Sequence, residues 1–417
     1  MTGPPVDLTD PGVLLRAEVV DDPRPMYDVL RARAPVWQVP GQDTFLVSDP
    51  KLLREAVNRP EDFSSNLVSL LHDDGNGCPV AFHVAPAGDP IHVLATADPP
   101  IHTRHRKLLQ AHLSPAAVAA LGPAITRIVH DQLGVLFDSV VDGWVDAVPT
   151  FSDPVPVRTI LELIGLPGED ADRINRLVGD TGALLDGVTE LDGMSSAMHA
   201  AIELGMYVGE HLDRASALPA ERRRGLLGVF SAQIEAGEVS AGEVRDMLVV
   251  LVSAGSETTA SLIATTIEVL AADPVRQQHL RSHPEELPDA LEGILRADGP
   301  FQFHYRYVPA DTELGGVRIP ARSRVLLMWA AANRPAPGSP ALPMVDHERG
   351  PAPHFAFGRG LHFCIGAPVA RLEARLAVER LLAATDHFEL DPERPVVRRP
   401  SIFIRRHAEL PLRVRAS

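Results

Sequence analysis

A chain of 417 residues, 45% apolar and 23% charged, has ample material for a large core and the composition of an ordinary globular protein. Its formal net charge of −16 makes the whole molecule a poor partner for nucleic acid or an anionic membrane surface. Two cysteines, Cys78 and Cys364, cannot by themselves build a multi-thiolate zinc or iron–sulfur site.

The N-terminus, Met1-Thr2-Gly3-Pro4-Pro5, leads into Asp and Pro rather than a basic and then apolar leader. Uninterrupted apolar runs such as Met247 to Val252 fall short of the roughly 20 residues that span a bilayer. A cytoplasmic protein without nucleic-acid or membrane partners is expected. In chain order, Val36 to Val39 and Thr44 to Val47 alternate around Pro40-Gly41-Gln42-Asp43, which predicts a β-hairpin. The stretch from Asn66 to Pro100 is rich in Gly, Pro, Asp and His and reads as a long functional loop.

From His102 to about Ala272 the pattern is helical. Ser240 with Glu243 three residues on is a capping box, and it opens a long apolar helix that stops before Asp273-Pro274. A helix over about 289–297 follows. Leu314-Gly315-Gly316-Val317 predicts a tight turn between short strands, and Arg324 to Met328 a further strand. Residues 335–353 are Pro-rich and without pattern; a last helix covers Ala367 to Ala384, and Ser401–Arg405 with Leu410–Val414 reads as a closing hairpin. No composition shift divides the chain. A single domain over 1–417, mainly α with a minor β part, is expected.

Three segments carry chemistry. Phe357-Gly358-Arg359-Gly360-Leu361-His362-Phe363-Cys364-Ile365-Gly366 places a cysteine in a glycine-flanked turn just ahead of a helix with Pro368 in its first turn. Free amides at a helix start favour the thiolate. Ala254-Gly255-Ser256-Glu257-Thr258-Thr259 puts an acid and hydroxyls into the apolar stripe of the long helix, where polar groups are costly unless used. For Thr259, a bond back to the carbonyl one turn earlier accounts for the hydroxyl. In Asp98-Pro99-Pro100-Ile101-His102-Thr103-Arg104-His105-Arg106-Lys107, His102 and Arg106 are four apart and share a helix face, suited to binding carboxylates.

These segments resemble the signatures of the soluble bacterial cytochrome P450 superfamily, whose cysteine motif is Phe-x-x-Gly-x-x-x-Cys-x-Gly. The match is dense from about Asp98 to the end and includes Asp311-x-Glu313-Leu314-Gly315-Gly316, Ile319-Pro320 and Ala331-Ala332-Asn333-Arg334. The resemblance implies a single triangular, mainly α fold that binds haem b. Cys364 is then the axial iron ligand; electron donation by a thiolate that favours O–O cleavage is a known property of the family, not a deduction from this chain.

His102, Arg106, Arg306 and His362 become the donors to the haem propionates. Ala254, Phe357 and Gly366 lie against the haem, and Glu257 and Thr258 deliver protons where the long helix opens locally. The implied activity is insertion of one oxygen atom from dioxygen into a lipophilic small molecule, with electrons from a ferredoxin and a ferredoxin reductase. By family position Val250, Phe303, Ile402 and Phe403, with the 66–100 loop, line the substrate pocket, and His304 next to them reads as an ordinary hydrogen-bonded histidine. Arg104, Lys107, Arg371 and Arg375 read either as a solvated basic face or as a docking patch for the electron donor. A haem-binding or sensory protein without turnover is the alternative function, and a peroxide-driven enzyme a third.

One motif departs from the family. Its Glu-x-x-Arg appears as Leu291-Glu292-Gly293-Ile294-Leu295-Arg296, with glycine three residues before the arginine and the acid one position, roughly 100°, off that helical direction. A buried Arg296 then needs another partner. Backbone carbonyls of the irregular 335–353 stretch are the first expectation and Glu292 the second, which makes Glu292 dispensable for haem content.

Overall fold

The computed structural model describes residues 6–84, 92–335 and 352–416, and is mainly helical with small sheets at its edges. Its axis is the helix Ala241–Ala271. Ser240 Oγ accepts the Glu243 N–H at 3.2 Å, and the Glu243 carboxylate accepts the Ser240 N–H at 3.0 Å. The predicted capping box is formed. At 1.5 Å per residue this central helix is on the order of 45 Å long.

It packs against the helices Pro154–Ile164, Leu191–Ser216 and Ala367–Ala384. Met247, Leu248, Val252, Ile263, Ile267 and Leu270 are wholly buried, each worth roughly 1.5–3 kcal/mol. The helix is long and apolar enough to cross a membrane, with a mean hydropathy of 1.6 over its most apolar window, yet 61% of that window is buried inside the fold. An uninterrupted apolar run was too strict a criterion, because Ser253, Gly255 and Ser256 break the run without breaking the apolar face.

Glu243 also ties this helix to the one carrying His102 and Arg106, Ile101–Gln110. Its carboxylate pairs with Arg104 and lies 3.1 Å from His105 Nε2. The His105 Nδ1 accepts the Leu94 N–H at 3.3 Å, so the ring proton sits on Nε2 and is donated to Glu243.

The expected hairpin Val36–Gln38 with Thr44–Val47 belongs to a four-stranded sheet completed by Arg324–Leu327 and His304–Tyr307. Thr44–Val47 runs parallel to Arg324–Leu327, which pairs antiparallel with His304–Tyr307. The turn at Gly315-Gly316 joins Thr312–Leu314 to Val317–Ile319 as predicted.

Two expectations need correction. The 66–100 segment is no plain loop: Ser69–Asp73 pairs with Pro79–His83, and buried Leu70 and Leu71 anchor this hairpin inside a polar composition that hid it. The closing hairpin also differs. Ser401 Oγ accepts the N–H groups of Phe403 and Ile404 at 3.0 and 3.1 Å, which curls 401–405 into a turn. Val397–Arg398 pairs with His407–Glu409, and Pro411–Ala416 pairs with Thr385–Leu390. The helices Leu287–Asp298 and Ala367–Ala384 stand where the sequence put them; residues 336–351 of the Pro-rich stretch lie outside the described residues.

Candidate active site

The central helix and the Cys364 segment face each other across a cavity of about 1530 Å³, counting its open mouth, room for a flat macrocycle with space beside it. Val250, Leu251, Ala254, Thr258 and Thr259 form one wall, and Phe357, Cys364 and Gly366 belong to the other.

The cysteine segment turns at Gly358 and Gly360, whose φ values of +67° and +75° suit glycine. The Cys364 N–H donates to the Phe357 carbonyl at 2.9 Å, which closes the turn. Arg106 crosses from its helix to donate to the Phe363 carbonyl at 2.9 Å, so the basic helix and the cysteine segment are joined directly. Burial pushes the Cys364 thiol up, against the amides of Gly366 and Ala367 and the charges of Arg106 and Arg371, which all pull it down. The helix-start amides therefore act in the expected direction, but burial outweighs them. A metal cation at the sulfur reverses the balance, because a coordinating thiol is deprotonated outright.

At the cavity's rim the structure gathers a cluster of bases. His102 and His362 stack with ring centroids 4.1 Å apart. The buried His102 Nδ1 and His362 Nε2 have no hydrogen-bond partner. Arg306, 8% exposed, donates to the carbonyl of its neighbour Tyr305. Among the described residues neither Arg306 nor Arg106 forms a salt bridge. Burial first, then the neighbouring charges of Arg306 and His102, push His362 down to about 3. Burial brings Arg306 down to about 10, against the charge of Asp98. Such a cluster is electrostatically incomplete and fits a group bearing carboxylates.

His304, treated as incidental in the sequence, also lines the cavity. It lies two residues before Arg306 on one strand, and the period of two sends both to the same face. Its Nδ1 accepts the Trp329 indole N–H at 2.7 Å, which leaves the ring proton on Nε2.

On the opposite wall the polar groups are already engaged. Glu257 does not line the cavity; its carboxylate pairs with Arg406, whose other nitrogen lies 2.7 Å from Asp153. Burial raises the Glu257 pKa, and Arg406 acts against that rise. The Thr258 hydroxyl donates to the Ala254 carbonyl at 2.7 Å. The back-bond expected for Thr259 is made by Thr258 instead, and the helix runs unbroken rather than opening there.

The tentative substrate-pocket residues divide. Val250 lines the cavity, and Phe303, Ile402 and Phe403 do not. Phe303 and Phe403 pack edge to face at 5.3 Å in an apolar cluster behind the sheet, and Phe301 takes the place on the cavity side. The sequence also gave no sign of Glu373, 2% exposed on the cavity wall with an unpartnered Oε1 and pushed up to about 8 by burial. Its one signal is helical spacing: it sits four residues after buried Val369 and four before buried Ala377.

Three of the four residues read as a solvated basic face or a docking patch are paired with acids while remaining 37–43% exposed. Arg104 pairs with Glu243, Arg375 with Glu379 at 3.0 Å, and Arg371 with Glu292 at 2.6 Å. Glu292 therefore has both oxygens engaged away from Arg296, and the 336–351 carbonyls expected to serve that arginine lie outside the described residues.

A cavity with a cysteine in one wall and bases without a salt bridge among the described residues fits a haem-binding enzyme of mainly helical fold. Residues 287–403 match the family model Cytochrome P450. The chain is 38% identical over 410 residues to Cytochrome P450 144 of Mycobacterium tuberculosis, covering 97% of this chain and 92% of that one. It is 32% identical over 370 residues to a Vitamin D(3) 25-hydroxylase of Pseudonocardia autotrophica, covering 87% and 86%. The crystal structure of CalO2 superposes with a TM-score of 0.80 at 26% identity, over 97% of this chain and 98% of that one. The chain belongs to the cytochrome P450 family: it is a haem b monooxygenase.

Proposed function

We propose that the chain is a single cytoplasmic domain, residues 1–417, that oxygenates a lipophilic small molecule with electrons from a ferredoxin and its reductase. The observation that carries this reading is the cavity itself, lined mainly by apolar side chains beside the central helix, with a cluster of bases gathered in it. When bound, haem supplies the activation of dioxygen and the transfer of one oxygen atom. Cys364 holds the iron, with Phe357 beside the sulfur and Gly366 leaving room at the turn. His102, Arg106, Arg306 and His362 take the propionates and exchange their uncompensated burial for charge-assisted hydrogen bonds.

Ala254 and Val250 present apolar surface to haem and substrate. Thr258, having donated its hydroxyl proton to Ala254, offers its lone pairs to the cavity and orients the proton donor there. Glu257 brings protons from outside after exchanging Arg406 for the cavity side.

Titration of the purified holoenzyme with a panel of lipophilic and polar compounds tests the substrate class by the spectral shift each ligand induces at the haem. Product analysis with a ferredoxin and ferredoxin reductase then tests turnover. Shifts and products confined to lipophilic compounds are expected. Shifts confined to polar compounds, or turnover with peroxide but none with the ferredoxin system, would overturn the reading.

A further inference from the structure

Glu292, one residue before the glycine of the altered motif, is the hub of a set of contacts that ends at the cysteine. Its Oε1 accepts the Arg371 Nε–H at 2.6 Å, and its Oε2 accepts from Arg371 Nη2 at 2.8 Å. This two-pronged geometry is the strong form of the arginine–carboxylate pair. The same Oε2 lies 3.0 Å from His354 Nε2, and the His354 Nδ1 accepts the Ala356 N–H at 3.1 Å. The histidine proton is thus directed at the carboxylate.

Glu292 and His354 are shielded, with side-chain exposures of 18% and 6%, and Arg371 reaches them from the surface, 39% exposed. Burial raises the Glu292 carboxyl, and the bonds from Arg371 and His354 outweigh it and bring the group to about 2. The guanidinium of Arg371 also covers the Phe357 ring at 4.4 Å. Phe357 in turn accepts the Cys364 N–H through its carbonyl at 2.9 Å. An acid on one helix therefore reaches the amide of the cysteine through a guanidinium and one aromatic residue.

We propose that Glu292 and Arg371 form a clamp that fixes the Cys364 segment, and that Arg371 is a positioning residue for the sulfur rather than part of a docking surface. The inference rests on Cys364 being the iron ligand. Two features of the chain explain why the clamp is needed. Gly293 has no side chain to hold this region from the position three before Arg296. The segment's glycines at 358 and 360 leave its backbone loose unless something outside restrains it. Arg371 suits the task because its flat guanidinium meets a carboxylate with two parallel bonds at its edge and an aromatic ring with its face at once, whereas lysine is a point charge with no planar fork. On this account Glu292 is not dispensable for haem content.

The test uses the holoenzyme with Arg371→Lys, Glu292→Gln, Phe357→Leu and the double variant of the last residue with Arg371→Lys. The reduced carbon monoxide spectrum reports thiolate ligation, and transfer of haem to an apoglobin reports its release rate. The single variants are expected to raise severalfold the fraction whose band leaves the thiolate position, and to speed haem release. The double variant should add little to Phe357→Leu, because both act along one line of contact.

A pair that merely staples two helices would lower the melting temperature with the spectrum unchanged, or give additive effects in the double variant; either result overturns the clamp. Cys364→Ser in the same assay separates the two claims. A retained thiolate band there would remove the ligand assignment and the clamp together. A lost band there, with Arg371→Lys and Phe357→Leu spectrally silent, would remove the clamp alone.

Discussion

The rim of the cavity and the outer side of the central helix handle buried charge in opposite ways. At the rim, His102, Arg106, His304, Arg306 and His362 converge; among the described residues none of them forms a salt bridge, and Asp98 is the acid whose charge reaches His102 and Arg306. Behind the helix, Arg406 lies between Glu257 and Asp153, and the three side chains are 5–12% exposed. A cluster complete in itself stabilises the fold, whereas an incomplete one is poised for a ligand that brings the missing charge. The contrast separates the residues that hold the protein together from those that hold what it binds.

The most severe way to test the ligand-seeking side is to remove its centre. Cys364→Ala is expected to abolish the red-shifted Soret band of the reduced carbon monoxide complex, and Cys78→Ala to leave it unchanged. The reverse pattern would displace the assignment to the other cysteine.

A pair of arginine substitutions goes to the comparison itself. Arg406→Ala leaves two buried carboxylates without their hydrogen-bonded cation, with only the charge of Arg399 still acting on them, and is expected to cost about 3–5 kcal/mol in urea unfolding of the haem-free protein. Arg306→Met should leave the haem-free protein as stable or more so, since it removes an uncompensated buried cation, and should weaken haem binding in a titration. Equal losses in the haem-free protein would erase the distinction.

Glu373 sharpens the picture from the acid side, as a cavity-wall carboxyl with no base near it. Its pKa is raised in the fold, so its contribution to stability is fully present below the ordinary value of 4.5 and is lost as pH rises toward about 8. Stability of the haem-free protein should decline across that window, and Glu373→Gln should flatten the decline. An unchanged slope would mean that the carboxyl is ionised in the folded protein.

The smallest expected effect lies on the cavity wall of the central helix. Thr258→Ala removes a back-bond within the helix and should change stability by less than about 1 kcal/mol. It should nonetheless lower product formed per nicotinamide consumed, because the donor at the cavity wall loses its orienting group. An unchanged ratio would take Thr258 out of the proposed proton path.

The cysteine turn, the capping box at Ser240 and the basic helix face were legible because each is a short-range pattern, fixed by residues within about one helical turn. The same locality explains what was misread. Phe303 and Phe403 look like pocket residues until the turn at 401–405 packs one ring against the other. Glu257 looks like a cavity acid until Arg406, 149 residues away along the chain, draws it outward. Leu70 and Leu71 read as loop because nothing nearby in sequence announces the core that buries them.

By itself the sequence determined that this chain has a cysteine-bearing turn ahead of a helix, an apolar helix long enough to form an axis, and basic residues spaced to meet carboxylates. Those properties follow from backbone geometry and side-chain type, which neighbours in the chain define. Only the tertiary structure decided which charges found partners. It gave Glu292 to Arg371, Glu257 to Arg406 and Arg375 to Glu379, and left the five bases of the rim without a salt bridge among the described residues. A side chain's partner is set by the element packed alongside it, and that element can come from anywhere in the chain.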